Sequence, residues 1–372
     1  MKILLLGDAS NYHATLAHAL RLEGHDVTLA SSGSGWMRTH RDIDISRKNG
    51  KLGGAILWAR LNTVLSSRLK GYDVVQLSNP VFIEQRPQRV EAMFRKLRRD
   101  NGGVFLTALG TDTPYVDMCL DRKNCPLRYS EWHIGQETSP YMKTHSGTAQ
   151  AWQAAPLRNL CDIIYNGSDG VLTALYEYHL ACTRLLPGHM VQYAGIPILP
   201  QPENPGDAND IGTVNLFIGR HRDRMAEKGT DILEDVARQV AAARPGRCRL
   251  DIVENRPYSE YISLLNRADI VFDQLYSYTP ATNALLAMSM GKVTVSGGEE
   301  DFYNFIGESK LRPIVNANPA DTGQLIRELT SIVDNPDRIK QLGRQGRMFV
   351  RRHNDASVVA KRFTDFWERR LR

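Results

Sequence analysis

Gly219-Arg220 is followed at short range by Lys228-Gly229, in the stretch NLFIGRHRDRMAEKGTDILEDVARQV. Residues 215–218 form an apolar run with strand character, and Ile232, Val236 and Val240 recur behind it at helical spacing. Two cations and two glycines therefore sit where a strand hands over to a helix. Open parallel sheets take their ligands at such junctions, outside the carboxyl ends of the strands. Glycine lets a bulky anion approach the backbone, and a helix amino terminus adds positive potential. Arg and Lys supply charge-assisted donors suited to phosphate. The chemistry implied is the holding of a phosphate or diphosphate. A solvated basic loop capping a helix explains the same pattern.

Further along, Glu254 closes the strand pattern RLDIVE and Asp273 closes ADIVFD, so both carboxylates are expected at the ligand end of the sheet. The loop Tyr278-Thr279-Pro280-Ala281-Thr282-Asn283 leads into a helix, where unpaired amides suit an anion. Pro280 and Thr282 also read simply as first-turn and capping residues. Glu299 follows the strand at 293–296 through Gly297-Gly298, placed to bind sugar hydroxyls or to cap the next helix.

The elements that must position these groups alternate. Strand patterns at 2–6, 27–30, 74–77, 104–108, 163–165, 170–172 and 191–193 are separated by helical patterns at 12–23, 56–69 and 88–99. This is a doubly wound α/β pattern. Residues 117–160 break it with a polar, aromatic stretch that has no strand signal. A long irregular insertion in a compact domain is usually functional. A second alternating block begins near 214. The expected domains are 1–198, a proline-rich linker at 199–212, 213–350, and a terminal helix at 351–372.

The order of these motifs resembles the retaining, two-domain GT-B glycosyltransferases of family 4, also called group 1. The residues that carry the likeness are GR…KG, then strand–loop–helix ending AMSMGK, then a strand. At the amino terminus, MKILLLGDASNYHATLAHALRLEGHDVTLASS is similar to that family's first strand, glycine loop, helix and second strand. Ala108-Leu109-Gly110-Thr111-Asp112 resembles its HGSD turn, and Tyr193-Ala194-Gly195-Ile196-Pro197 the turn closing its first domain. The resemblance implies two Rossmann-like doubly wound domains facing a central cleft. It implies sugar transfer from a nucleotide-sugar donor to a glycan, lipid-linked or small-molecule acceptor, with retention. An Arg and a Lys matching Arg220 and Lys228 would stabilise the diphosphate without a metal, so no cofactor is expected. Gly219, Glu254, Asp273, residues 278–283 and Glu299 fall on the donor side. Gly7, Asn11, Tyr12 and His13 line the first loop on the acceptor side, with Asp112 as the acid there. The family's paired glutamates are replaced by Tyr278 and Leu286, so donor recognition must differ. A sugar-nucleotide epimerase of the same fold, or a non-catalytic glycan- or nucleotide-binding protein, stands as the alternative.

Bulk properties narrow the classes. The chain has 372 residues, 42% hydrophobic and 24% charged, which suits two globular domains rather than disorder. No apolar run approaches the ~20 residues of a membrane span. MKILLLGDAS reads as a buried strand rather than a secretory leader, giving a cytoplasmic expectation. The net charge of +6 is concentrated at 338–372 and in Arg95, Lys96, Arg98 and Arg99. Such patches suit an anionic membrane surface, or are solvated helix faces. No nucleic-acid-binding motif is present. Asp42-Ile43-Asp44 has DxD spacing, but its alternation with Ile45 suits a short strand with exposed acids. The five scattered cysteines include no CxxC, so free thiols are expected and no metal site.

Overall fold

The computed structural model describes residues 1–37, 39–48, 50–202, 212–254 and 256–371. They form two compact units that interleave along the chain. The first comprises Met1–Met118, Gly147–Pro197 and Ala356–Arg372; the second comprises Cys119–Ser146 and Ile198–Asp355. This corrects the linear division expected above. Residues 119–146 belong to the second unit rather than the first, and residues 351–355 do not join the tail. Of the expected linker, residues 203–211 lie outside the described residues, as does Arg372.

Elements alternate from the start: β1 (Lys2–Leu6), α1 (Tyr12–Leu22), β2 (Asp26–Ser31), β3 (Ile43–Asp44), α2 (Gly50–Asn62), β4 (Val74–Leu77), α3 (Pro87–Asp100), β5 (Gly103–Ala108) and α4 (Thr113–Leu120). A short hairpin, β6 (His133–Ile134) with β7 (Glu137–Thr138), precedes α5 (Pro140–Gln153), which is kinked at His145. Then come α6 (Ala155–Gly167), β8 (Val171–Thr173), α7 (Tyr176–Leu185) and β9 (Val191–Tyr193). The first unit's sheet runs β3-β2-β1-β4-β5-β8-β9 with every pairing parallel. Continuous apolar strands such as KILLL and GVFLTA are what a parallel sheet covered on both faces requires.

The expected strand at 163–165 is instead part of α6. A three-residue apolar run does not distinguish strand from buried helix. Here Leu160, Cys161, Ile164 and Tyr165 share one buried helical face. Nor is the insertion irregular throughout, since it holds the hairpin and all of α5. Asp42 precedes and Asp44 ends the two-residue strand β3, and they are bound by Arg21 and Arg41 respectively, which accords with the exposed-acid reading.

The second unit contains β10 (Val214–Arg220), α8 (Met225–Lys228), α9 (Thr230–Ala243), β11 (Cys248–Glu254), α10 (Tyr258–Asn266), β12 (Ile270–Phe272), α11 (Thr282–Ser289), β13 (Val293–Ser296), α12 (Glu300–Phe305), β14 (Ile314–Asn316), α13 (Thr322–Val333) and α14 (Pro336–His353). Its sheet order is β11-β10-β12-β13-β14, again all parallel. The strand order reverses at β1/β4 in the first unit and at β10/β12 in the second. Each reversal leaves a crevice beyond the strand ends.

The terminal helix α15 (Ala356–Leu371) packs in the first unit. Phe363 meets Tyr12 edge-on at 6.3 Å and Phe366 meets Phe105 at 6.0 Å. Trp367 is fully buried and donates from Nε1 to Gln76 Oε1 at 2.8 Å. Gly170 is required beneath this helix, because a Cβ there would lie 2.6 Å from the Phe366 ring. Among the described residues no helix is long and apolar enough to cross a membrane.

Candidate functional site

In the first unit, the loop after β1 lies at the strand-order reversal and carries unusual backbone. Gly7 has φ 83°, and the non-glycine residues Ser10 and Asn11 have φ 53° and 64°. A Cβ on Gly7 would lie 2.1 Å from Ser78 Oγ, so the strand end and its neighbour approach too closely for a side chain. Two left-handed residues in succession cost of order 1–3 kcal/mol each and persist where surroundings enforce them. Asp8 helps enforce them by accepting the His13 amide at 2.9 Å and the Thr39 hydroxyl at 3.4 Å. Asp8 was not among the residues singled out from sequence, although its place directly after the loop glycine marks it.

The four acceptor-side residues divide. Tyr12 is fully buried, and its hydroxyl donates to Gly195 O at 2.7 Å. Burial holds it well above the ordinary tyrosine range. It is a packing residue of the first unit. His13 is also fully buried, with Nδ1 2.7 Å from Gly7 O. Its Nε2 has no hydrogen-bond partner, and burial lowers its pKa, so the ring is held neutral. Asn11 is half-buried and Ala9 and Ser10 are exposed, so these present the loop to solvent.

Asp112 is 2% exposed. Its Oδ1 accepts the Tyr115 amide at 3.1 Å, capping α4, and its Oδ2 accepts the Tyr165 hydroxyl. Burial raises its pKa to about 6. Its geometry is that of a helix-capping carboxylate.

In the second unit, Arg220 ends β10 and Glu254 ends β11 directly opposite in register. Arg220 donates from Nε to Glu254 Oε2 and from Nη1 to Glu234 Oε2, both at 2.7 Å. Arg222 donates from Nε to the other Glu254 oxygen at 3.0 Å. Glu254 therefore bridges two arginines. Glu234, on α9, was missed from sequence because helical acids are ordinarily solvated.

Lys228 closes α8, and its ammonium lies 3.5 Å from Asp273 Oδ1, an ion-pair distance rather than a tight hydrogen bond. The Asp273 side chain is 1% exposed. The same Oδ1 faces Asn283 Nδ2 at 3.5 Å, and Ser296 Oγ faces Oδ2 at 3.3 Å. Asn283 accepts from Tyr261 at 2.6 Å, which fixes its amide orientation. The end of α8, the ends of β12 and β13 and the start of α11 are thus joined by one polar network. α11 begins after Ala281 with no side-chain cap. The first amides of a helix have no intrahelical partner.

The glycines are explained by packing. A Cβ on Gly219 would lie 2.5 Å from the Tyr261 ring. Gly229 has φ 66°, and a Cβ there would meet Leu275 Cβ at 2.7 Å. The Leu275 amide donates to Lys228 O at 2.8 Å, locking the loop after β10 to the loop after β12.

Tyr278 and Glu299 are engaged by the insertion. The Tyr278 hydroxyl accepts the Arg128 amide at 2.5 Å, and the Arg128 guanidinium lies over its ring at 5.4 Å. Tyr129 packs on the same ring at 4.9 Å. Glu299 accepts from Arg128, from Tyr129 OH at 2.7 Å and from Asn316 Nδ2 at 2.8 Å. Asp301 accepts from Arg128 at 2.8 Å. Thr279 and Pro280 are buried between these groups and α11, while Ala281 and Thr282 are half-buried. A tyrosine stands where the resemblance leads one to expect a glutamate, and its ring seats Arg128 and Tyr129.

No protein-family profile matches this sequence, and no curated protein matches it. Solved structures do. TarM of S. aureus is 9% identical with TM-score 0.54 over 84% of this chain, which spans 58% of TarM's length. HepE of Anabaena, in complex with UDP and glucose, is 11% identical with TM-score 0.63, covering 99% of this chain and 100% of that one. A putative UDP-N-acetylglucosamine 2-epimerase from Listeria monocytogenes is 12% identical with TM-score 0.55, covering 98% and 95%. The fold is GT-B. At these identities the likeness speaks to architecture, and it does not single out family 4 among GT-B proteins.

Proposed function

We propose that this chain is a metal-independent glycosyltransferase, related to family 4, that moves a sugar with retention from a nucleotide-sugar donor to a glycan, lipid-linked or small-molecule acceptor. The observation that carries the reading is the Lys228–Asp273–Asn283 network at the β10/β12 reversal, beside the uncapped start of α11. Negative charge grows on the leaving diphosphate as the sugar–oxygen bond breaks. A preorganised ammonium and oriented amides lower that barrier. Asp273 positions Lys228. Arg220, held by Glu234 and Glu254, adds a cation whose orientation is fixed before substrate arrives. On this reading the departing phosphate takes the acceptor proton on the same face. The likeness to HepE bound to UDP and glucose supports a nucleotide-sugar donor.

A second reading, sugar-nucleotide epimerisation, draws support from the Listeria structure and from Tyr278 and Leu286 standing in place of the paired glutamates. Incubation with a panel of nucleotide sugars, with and without cell-derived acceptors, separates the two. A transferase releases nucleoside diphosphate in step with a glycosylated acceptor. Epimer or free sugar formed equally well without acceptor overturns the transferase reading.

A cytoplasmic, membrane-peripheral setting is part of the same proposal. In α3, Arg95 pairs with Glu91, Arg98 with Asp169 and Arg99 with Asp100, and Lys96 donates to Ser66. In α15, Arg370 donates to Asp169 O at 2.8 Å rather than standing solvated. The charge left for anionic lipid is less than the sequence count suggests.

A further inference from the structure

We infer that Cys119, Cys125 and His133 form a zinc site that fixes the inserted segment of the second unit. Their ligand atoms, two thiol sulfurs and one imidazole nitrogen, all lie within 4.8 Å of one another. Cys125 Sγ is 3.5 Å from His133 Nε2. In a tetrahedral site with Zn–S near 2.3 Å and Zn–N near 2.0–2.1 Å, ligand atoms stand roughly 3.3–3.8 Å apart. The cluster reaches that spacing with small rotamer adjustments.

The surroundings meet the other requirements of a metal centre. Cys119 and His133 are 0% and 1% exposed, and Cys125 is half-buried. His133 Nδ1 lies 3.1 Å from Gly135 O, so that nitrogen carries the proton and Nε2 keeps its lone pair toward the thiols. A histidine ligand is ordinarily oriented by such a second hydrogen bond. Backbone geometry brings the three together without any metal. The amides of Asn124 and Cys125 donate to Asp121 O, turning the chain back after α4. The Ser130 amide donates to His133 O, and the Gly135 amide to Arg128 O, closing the turn that presents His133. Two soft sulfurs and an imidazole select zinc over magnesium or calcium. These three protein ligands leave the fourth tetrahedral position to a water molecule, an open coordination that closed four-ligand structural sites lack.

The site has a structural purpose. Between Cys125 and His133 lie Arg128 and Tyr129, which grip Tyr278 and Glu299. The hairpin β6–β7 is only two residues per strand. A segment so short in secondary structure gains from a staple.

The test is metal analysis of the full chain, purified reduced and without chelators. About one tightly held zinc per chain is expected. Replacement by cobalt should give thiolate charge-transfer and tetrahedral ligand-field bands. Cys119→Ser, Cys125→Ser and His133→Ala should each lower zinc retention by at least the roughly 10–100-fold that loss of a second-shell partner costs, while Cys248→Ser should retain it. Cobalt titration of the wild-type chain does not depend on any variant folding. Reduced wild-type protein that binds no zinc and shows no thiolate–cobalt band overturns the inference. So does a Cys119–Cys125 disulfide that persists when the protein is prepared with reductant and excess zinc.

Discussion

Arg128→Ala removes the side chain through which the insertion holds the second unit, and its cost can be worked from the contacts. The Glu299 side chain is 8% exposed, and Arg128 is its cationic partner. Among the described residues the carboxylate then keeps the neutral donors Tyr129 OH and Asn316 Nδ2. Loss of a hydrogen bond to such a charged group costs about 1.5–3 kcal/mol. The guanidinium over Tyr278 adds about 0.5–1 kcal/mol. The Asp301 contact contributes little, because the Arg128 side chain is 57% exposed and solvent screens it. The sum is about 2–4 kcal/mol. For a unit of this size that lowers the melting temperature by roughly 5–15 °C. Two units need not melt together, so the assay is hydrogen exchange over residues 125–140 and 297–303 alongside calorimetry. Exchange in both segments should accelerate together. A double-mutant cycle with Glu299→Gln should give a coupling of about 1–2 kcal/mol. Independent, additive effects, or unchanged exchange at 297–303, would refute the claim that this contact holds the insertion.

Three further outcomes follow from the site and its supports. Lys228→Ala should cut turnover by about 10²-fold or more with native circular dichroism; Arg220→Ala should do the same but also lower stability, because Glu234 and Glu254 lose their shared cation. Asp112, with its pKa raised to about 6 from an ordinary 3.8, binds its proton more tightly folded than unfolded. Stability it contributes is therefore lost as pH rises from about 4 to 6, by on the order of 3 kcal/mol; Asp112→Asn should abolish that part of the slope, and an identical pH dependence in urea melts of both proteins would contradict it. Trp367→Ala should cost about 3–5 kcal/mol through cavity formation and loss of the Gln76 bond; a first-unit melt like the wild type's would show that α15 is dispensable.

Much of the fold was legible because the physics is local. Strands buried on both faces, such as KILLL at β1 and NLFIG within β10, announce a parallel sheet, and the cations and glycines behind β10 mark its ligand end. Residues 163–165 misled because three apolar residues fit either period. What could not be read depends on contacts distant in sequence. Tyr278 and Glu299 looked like donor contacts at a strand end, yet Arg128 and Tyr129, some 150 to 170 positions earlier, occupy them. Glu234 carried no signal until β10 and α9 were packed together. The Cys119, Cys125 and His133 cluster has no motif spacing; a turn after α4 and a second at Ser130 bring the three together.

We propose that Lys228 holds a nucleoside diphosphate beyond β10 and β12. The most direct test is isothermal calorimetry of the full chain against a panel of nucleoside di- and monophosphates, with Lys228→Ala measured alongside. One diphosphate should bind with Kd of about 1–100 μM; its monophosphate should bind at least roughly tenfold more weakly, about 1.4 kcal/mol, as should the diphosphate to Lys228→Ala. A diphosphate bound equally well by wild type and Lys228→Ala, or no diphosphate bound at millimolar concentration, would contradict it.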